Sequence, residues 1–192
     1  MAAVVRWGHV RGLDKAQELA IERAWSAGAV PEGPEMTVDL DSTVCEVFGK
    51  SKGGAAYGHT GVLGYHPLVA VRDATGEMIH TRMRSGSSQR GHIRFVAETL
   101  ARIGRLAADT AVTVHAGSGF FPYDIIDTLD AHGARHSITI PQNSKVTAAI
   151  DTVEDKAWKP IGYTEHGEVQ VCETTITTGP DPAARNSASC GS

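Results

Sequence analysis

The chain is poor in cysteine, carries no excess of positive charge and contains no long apolar run. Its three cysteines, Cys45, Cys172 and Cys190, lie far apart, and none has the Cys-x-x-Cys spacing of a zinc site. Their odd number and wide separation exclude a disulfide framework and favour a reducing cytoplasm as the location. Because no stretch approaches the roughly 18 apolar residues that span a bilayer, we expect no membrane partner.

The charge balance limits the partners that the whole surface can attract. The net charge is -4 at pH 7 and the isoelectric point is near 6.1, so no general excess of Lys and Arg indicates a nucleic-acid partner. Any contact with DNA must therefore be local. With 192 residues, of which 41% are hydrophobic, the chain is long enough to bury the core of one ordinary domain.

The apolar periodicity predicts a mixture of helices and strands. Apolar residues at steps of three and four predict a helix over 90–107, and alternation predicts a strand over 36–41. The segment 49–65 holds six glycines and is expected to be a loop. The other predicted elements are helices at 13–27, 123–131 and 143–151, strands at 68–72, 78–83, 111–115 and 136–140, a small strand pair after 151, and a disordered tail at 179–192.

Through the middle of the chain these elements follow the order strand, strand, strand, helix, strand, helix, strand. This order predicts an α/β fold with a mixed sheet and flanking helices, and it resembles the ribonuclease-H-like fold, in which the first and fourth strands are neighbours. Such a sheet would place the end of strand 36–41 beside the end of strand 111–115. Two carboxylates at that place would be able to bind one metal ion.

Asp39 and Asp41 are the first candidates for such a site. They stand two residues apart, so alternation puts both on one face of the predicted strand. Two close carboxylates repel each other unless a cation or water separates them. The pair is therefore either a ligand set for Mg²⁺ or Mn²⁺ at a strand end, or a solvated strand face that leads into an Asp-Ser-Thr turn.

The stretch VHAGSGF, residues 114–120, ends a strand in a glycine-rich turn. A nucleophile elbow needs glycine where Ala116 and Phe120 stand, a phosphate loop needs a lysine that is absent, and a dinucleotide fingerprint needs a third glycine where Pro122 stands. The pattern thus predicts a tight turn from strand to helix, with Phe120 and Phe121 packed on the core.

Basic residues and histidines supply the remaining candidates. Arg82, Arg84 and Arg90 form a short basic stretch at the end of a strand, and they either contact phosphates of DNA or are simply solvated. Only His132 and His136 have the His-x-x-x-His spacing, and Gly133 interrupts the helix which that spacing requires, so a zinc hydrolase is not expected. The histidines are predicted to lie on the surface or in loops.

Several segments together resemble the DDE transposases of bacterial insertion sequences, whose catalytic domain is ribonuclease-H-like. The resemblance extends from about Arg6 to about Thr178. Its matching segments are TVDLDST, GYHPL, RGHIRFVAETLARI and HAGSGFF, followed by DTLDAHGARHSITI and VEDKAWKPIGY.

In that family three acidic residues bind two divalent ions, Mg²⁺ or Mn²⁺, and the enzyme uses these ions to cleave and transfer DNA strands. By resemblance Asp41 is the first acid, with Asp39 as its neighbour, and the position of the second acid is occupied by Gly117. The third acid, a glutamate, belongs to a region beyond the match. The resemblance therefore implies a lead-in at 1–35, a partial catalytic domain at 36–178 that is incomplete at its C-terminus, and doubtful metal binding.

We accordingly expect a truncated, inactive relative of the enzymes of cut-and-paste DNA transposition. One alternative is a non-catalytic regulatory protein that binds DNA at transposon ends or binds a full-length transposase. A second alternative is an unrelated hydrolase that uses Asp39 and Asp41, which would require a deep pocket at the end of the first strand.

Overall fold

A computed structural model describes residues 7–30, 33–49, 51–58, 60–88, 90–121, 123–162, 169–176 and 188–191. The chain divides into two compact units, Met1–Ile140 and Pro141–Ser192. Among the described helices, none is both long enough and apolar enough to cross a membrane. The described elements of the first unit are the helices α1 (Trp7–Ala24), α2 (His92–Leu106) and α3 (Tyr123–Ala131) and the strands β1 (Glu35–Ser42), β2 (Cys45–Glu46), β3 (Ala56–Tyr57), β4 (Leu63–Tyr65), β5 (Leu68–Arg72), β6 (Glu77–Arg82), β7 (Ala111–Ala116) and β8 (Arg135–Ile138).

The first unit is built on a five-stranded mixed sheet with the strand order β6-β5-β1-β7-β8. The chain forms β1, β5 and β6 as an antiparallel set, and then adds β7 and β8 parallel to β1. Each parallel strand is reached through a helix, as a parallel connection requires. The predicted ribonuclease-H-like mixed sheet is thereby confirmed, including the direct pairing of the first long strand with the fourth.

One face of this sheet forms the core. Along β1, Met36, Val38 and Leu40 are buried, whereas Thr37, Asp39 and Asp41 alternate with them on the opposite face. The helices supply the other half of the core. Their contributions are the fully buried side chains Phe95, Val96 and Ile103 of α2 and Ile125 and Leu129 of α3, each stabilising the fold by roughly 1.5–3 kcal/mol.

The first helix begins earlier than its apolar pattern predicts. It starts at Trp7 rather than at residue 13, and its α-helical part ends at Ala24. A wider turn over Trp25–Ala29 follows, in which Gly28 has φ 104°, a conformation that side chains other than glycine's rarely adopt. The helix therefore ends close to residue 27, where the sequence pattern predicts its end.

The described part of the glycine-rich segment 49–65 contains no helix, as predicted, but it contributes two short strands, β3 and β4, to a second sheet. The short strands β2, β4 and β3 pair antiparallel in that order. A Cβ atom on Gly64 would lie 2.5 Å from the Cys45 carbonyl oxygen, and one on Gly86 would lie 2.2 Å from the Ala56 carbonyl oxygen. Both positions require glycine because backbone occupies the space of a side chain.

Replacing Gly86 with alanine should lower the free energy of unfolding by roughly 1–3 kcal/mol, the usual cost of overpacking a close contact. Urea unfolding at neutral pH measures the change. Gly104→Ala is the matched control, since Gly104 lies in α2 with no heavy atom within 4 Å of its Cβ position, and it should stabilise by about 1 kcal/mol. Equal stability of Gly86→Ala and the unaltered chain would contradict the close packing.

The second unit contains α4 (Ser144–Asp151) and the strands β9 (Lys159–Ile161), β10 (Val169–Thr174) and β11 (Ala188–Gly191). The Asn143 side chain begins α4 by accepting hydrogen bonds from the backbone N–H groups of Lys145 and Val146. The predicted small strand pair is present as β9 and β10, which are antiparallel. Most of the predicted disordered tail lies outside the described residues, and its four described residues form β11, paired with β10.

Candidate functional site

The ends of β1 and β7 lie side by side. Their parallel register pairs Asp39 with His115 and Leu40 with Ala116. Continued by one residue, this register places Asp41 next to Gly117, on strands that are about 4.8 Å apart. The predicted juxtaposition of these two strand ends is confirmed, and it depends on the strand order rather than on any loop.

Asp41 is exposed and its carboxylate is oriented by its own backbone. Its Oδ1 accepts a hydrogen bond from the Ser42 N–H at 2.7 Å. The Ser42 hydroxyl in turn lies 3.0 Å from Nε2 of His66, which precedes β5. Asp41 therefore projects from a strand end whose next residue is fixed by an imidazole from another segment.

Asp39 forms a cross-strand pair with His115 on the open face of the sheet. The Asp39 Oδ1 and the His115 Nδ1 are 3.5 Å apart, and the two side chains are 46% and 51% exposed. Such a pair becomes an ion pair only when the imidazole is protonated, and at this exposure it contributes little stability. Its position places one further carboxylate two residues before Asp41.

Gly117 starts the turn that follows β7. Its φ of -72° and ψ of 172° are extended values that any residue adopts, and no heavy atom lies within 4 Å of its Cβ position. The Phe120 N–H donates to the Gly117 carbonyl oxygen at 2.9 Å, and Phe120 is 2% exposed. The predicted strand-to-helix turn is confirmed for Phe120, and Phe121 is half-buried. Neither the backbone nor the packing here requires a glycine.

The donor set at these strand ends does not fit a pair of divalent ions. Asp39, Asp41 and His115 are the donors that the two strand ends contribute, and Gly117 offers no side-chain atom. Among the described residues no group of three or more His, Cys, Asp or Glu side chains is arranged to bind a metal ion. Divalent ions of the Mg²⁺ class need several oxygen ligands, and Gly117 provides none at the position where a further carboxylate would stand.

The three candidate DNA-binding arginines have different surroundings. Arg84 is only 6% exposed, and its guanidinium donates to the carbonyl oxygens of His66 and Arg90. It is therefore not a solvated residue, and its contact with phosphate stays a prediction. Arg82 is half-buried and hydrogen-bonded to Glu98. Arg90 is exposed and remains a candidate for a phosphate contact.

His80 is the largest departure from the sequence prediction, because it is buried at 1% exposure. The cause is a β-bulge: β5 pairs Ala70 with His80 but Val71 with Met78, so Ile79 is the extra residue and both Ile79 and His80 turn inward. Two consecutive buried residues break the strand alternation. The apolar periodicity of the sequence does not indicate that His80 turns inward.

Comparison with known protein families gives a match over most of the chain. A family model described as "Transposase DDE domain group 1" matches residues 6–179. No curated protein matches the chain.

Two solved structures are similar at low identity. The simian T-cell lymphotropic virus intasome in complex with PP2A regulatory subunit B56 gamma is 14% identical, with 62% of this chain and 36% of that chain covered and a TM-score of 0.37. The piggyBac transposase synaptic complex with hairpin DNA is 11% identical, with 82% of this chain and 32% of that chain covered and a TM-score of 0.46. The chain thus spans about a third of the length of these solved chains, and neither similarity carries a functional assignment.

Proposed function

The chain belongs to the DDE transposase family, group 1, and from this premise we propose that it is a catalytically inactive member derived from an enzyme of DNA transposition in a bacterial insertion sequence. The observation that carries the proposal is Gly117. It follows β7 next to Asp41, where the sequence resembles the segment that bears the family's second acid. The extended backbone and the open space at this position would accommodate an aspartate side chain, but the residue there is glycine.

The chemical consequence follows from charge. DDE transposases use divalent ions, which are bound by carboxylates gathered at one place. Asp41 alone, with Asp39 two residues away on the same strand face, does not supply the negative charge and the ligand number for two dications. A glycine has no donor atom, so no side-chain rotation compensates for the loss. Because the two divalent ions are not bound, strand cleavage should not occur.

A strand-cleavage assay tests the proposal. The purified chain, in Mn²⁺, is incubated with DNA that carries the inverted repeats of the element, and Asp41→Asn serves as the matched control. We expect the two proteins to give the same background and no specific product. Robust cleavage that disappears in Asp41→Asn would overturn the proposed inactivity.

A second candidate function is regulation by binding, either to DNA or to a full-length transposase. The exposed arginines at the start of α2 favour the DNA form, since Arg90 is exposed and the Arg94 side chain is 79% exposed. A mobility shift of the same DNA without cleavage supports this function. The hydrolase alternative is disfavoured because Asp41 is exposed and Asp39 is 46% exposed on an open sheet face, and not at the base of a deep pocket.

A further inference from the structure

Arg84 lies in an unusual environment for a cation. It is only 6% exposed. Its hydrogen-bond acceptors are all uncharged: the His66 carbonyl oxygen at 2.8 Å, the Arg90 carbonyl oxygen at 3.3 Å and the His92 Nε2 at 3.2 Å. Among the described residues it forms no ion pair. Burial lowers the pKa of the Arg84 guanidinium. A buried cation without a carboxylate partner contributes little to stability. The segments that Arg84 connects therefore explain its role better than an energetic gain does.

The acceptors of Arg84 belong to two different segments that lead to the two strand ends. On the first side, the His66 N–H donates to the Arg84 carbonyl oxygen while the Arg84 Nε donates to the His66 carbonyl oxygen, and His66 contacts the Ser42 hydroxyl next to Asp41. This reciprocal pair fixes the segment before β5. The first branch is therefore Arg84, His66, Ser42 and Asp41.

On the second side, Arg84 fixes the start of α2. Its terminal nitrogen donates to the Nε2 of His92, and the His92 ring contacts Phe120 edge-on with centroids 5.0 Å apart. The Phe120 N–H closes the turn onto the Gly117 carbonyl oxygen. The second branch is therefore Arg84, His92, Phe120 and Gly117.

We propose that Arg84 is a positioning residue that fixes the ends of β1 and β7 relative to each other, through His66 and Ser42 on one branch and through His92 and Phe120 on the other. It touches neither Asp41 nor Gly117. A guanidinium suits this role because its rigid, planar fork presents Nε and a terminal nitrogen to two separate segments at once, which a lysine ammonium on a flexible stem does not. The importance of the two strand ends rests on the proposed function, but the contacts themselves do not.

Hydrogen exchange of single backbone amides, followed by NMR on the whole chain, tests the proposal. Arg84→Lys should accelerate exchange at Thr43, which follows Ser42 and donates to the Pro67 carbonyl oxygen, and at Phe120, by about tenfold each, while amides of the β1–β7 ladder change little. Arg94→Lys, at the exposed start of α2, is the control and should change none of them. Unchanged exchange at both turns, or equal acceleration throughout the sheet, would show that Arg84 has no specific positioning role.

Two further variants separate the branches and decide the question if Arg84→Lys does not fold. Ser42→Ala removes the last side-chain link of the first branch and should accelerate Thr43 but not Phe120. His92→Phe keeps an aromatic ring for Phe120 but removes the Nε2 acceptor, so it should accelerate Phe120 but not Thr43. Loss of this selectivity would overturn the two-branch arrangement. Because no readout uses cleavage or metal, a failure here leaves the proposed inactivity standing, and residual cleavage leaves this proposal standing.

Discussion

Gly117→Asp should give the chain an affinity for Mn²⁺ at least about tenfold higher than that of the unaltered protein, because a second carboxylate then faces Asp41 from the neighbouring strand. The substitution is sterically free, since no heavy atom lies within 4 Å of the Cβ position and the backbone is extended. The new carboxylate adds repulsion that a bound cation relieves. Titration calorimetry measures the affinity, and Mn²⁺ should also raise the melting temperature of the variant by binding the folded state.

The chain offers a matched control for this prediction two residues away. Gly119 also has open space around its Cβ position and no positive φ, so Gly119→Asp adds the same charge to the same turn, two residues beyond the position that the strand register places next to Asp41. We expect Gly119→Asp to bind Mn²⁺ as weakly as the unaltered chain. Adding Asp41→Asn to Gly117→Asp should abolish the gain. Equal binding by the two glycine variants would mean that added charge alone, and not the strand-end geometry, explains the effect.

The sheet and the position of the site could be predicted because both follow from local patterns. Alternation along 36–41 identifies the buried and open faces of β1, and the order of strands and helices brings its end next to that of β7. Gly117 could be singled out only because the flanking residues resemble a family segment. A glycine by itself gives no indication that a carboxylate is missing.

The environments of Arg84 and His80 could not be predicted, because they depend on contacts with other segments of the chain that no local pattern indicates. The sequence places Arg84 in a basic stretch that is typical of a solvated surface. In the structure, the hydrogen-bond acceptors of its guanidinium come from residue 66 on one side and from residues 90 and 92 on the other. His80 reads as the exposed partner in an alternating strand, and a single bulge residue reverses it. Charge and polarity in the sequence indicate a preference for water, which the fold overrides where it supplies enough hydrogen bonds.

His80 should make the free energy of unfolding depend on pH between about 6.5 and about 4. Its ring stacks on Phe95 at 4.7 Å between centroids, and its Nδ1 lies 2.9 Å from the Thr99 hydroxyl. Because that hydroxyl donates to the Phe95 carbonyl oxygen, the histidine must be the donor at Nδ1. Its Nε2 then faces Asp14 and Glu98 at 3.5 and 3.9 Å.

Burial, with Arg102 as the next cause, lowers the pKa of His80 to about 4, against 6.5 in the ordinary group, and it outweighs the attraction of Asp14 and Glu98. The unfolded chain therefore binds this proton more tightly than the folded chain. As the pH falls from about 6.5 to about 4, the free energy of unfolding should decrease by on the order of 3 kcal/mol, and below that range this contribution should change no further. Urea unfolding at several pH values between 7 and roughly 4.5 measures most of the loss.

His80→Gln isolates the histidine's contribution, since a glutamine amide can still donate to Thr99 but takes up no proton in this range. The variant is expected to be less stable at pH 7 because it loses the ring stacked on Phe95, but its stability should fall much less steeply toward pH 4.5. Burial raises the pKa of Glu98, but Arg94 and Arg82 outweigh it and the net pKa is lowered, and the hydrogen bond from Arg105 lowers the pKa of Glu18. Both carboxylates lose their stabilising contribution mainly below the ordinary value of 4.5, so they add little to the slope between pH 7 and roughly 4.5. His132→Gln, at an exposed position, should keep the full pH dependence. If His80→Gln retained the slope of the unaltered chain, the protonation of His80 could not be what destabilises the fold in acid.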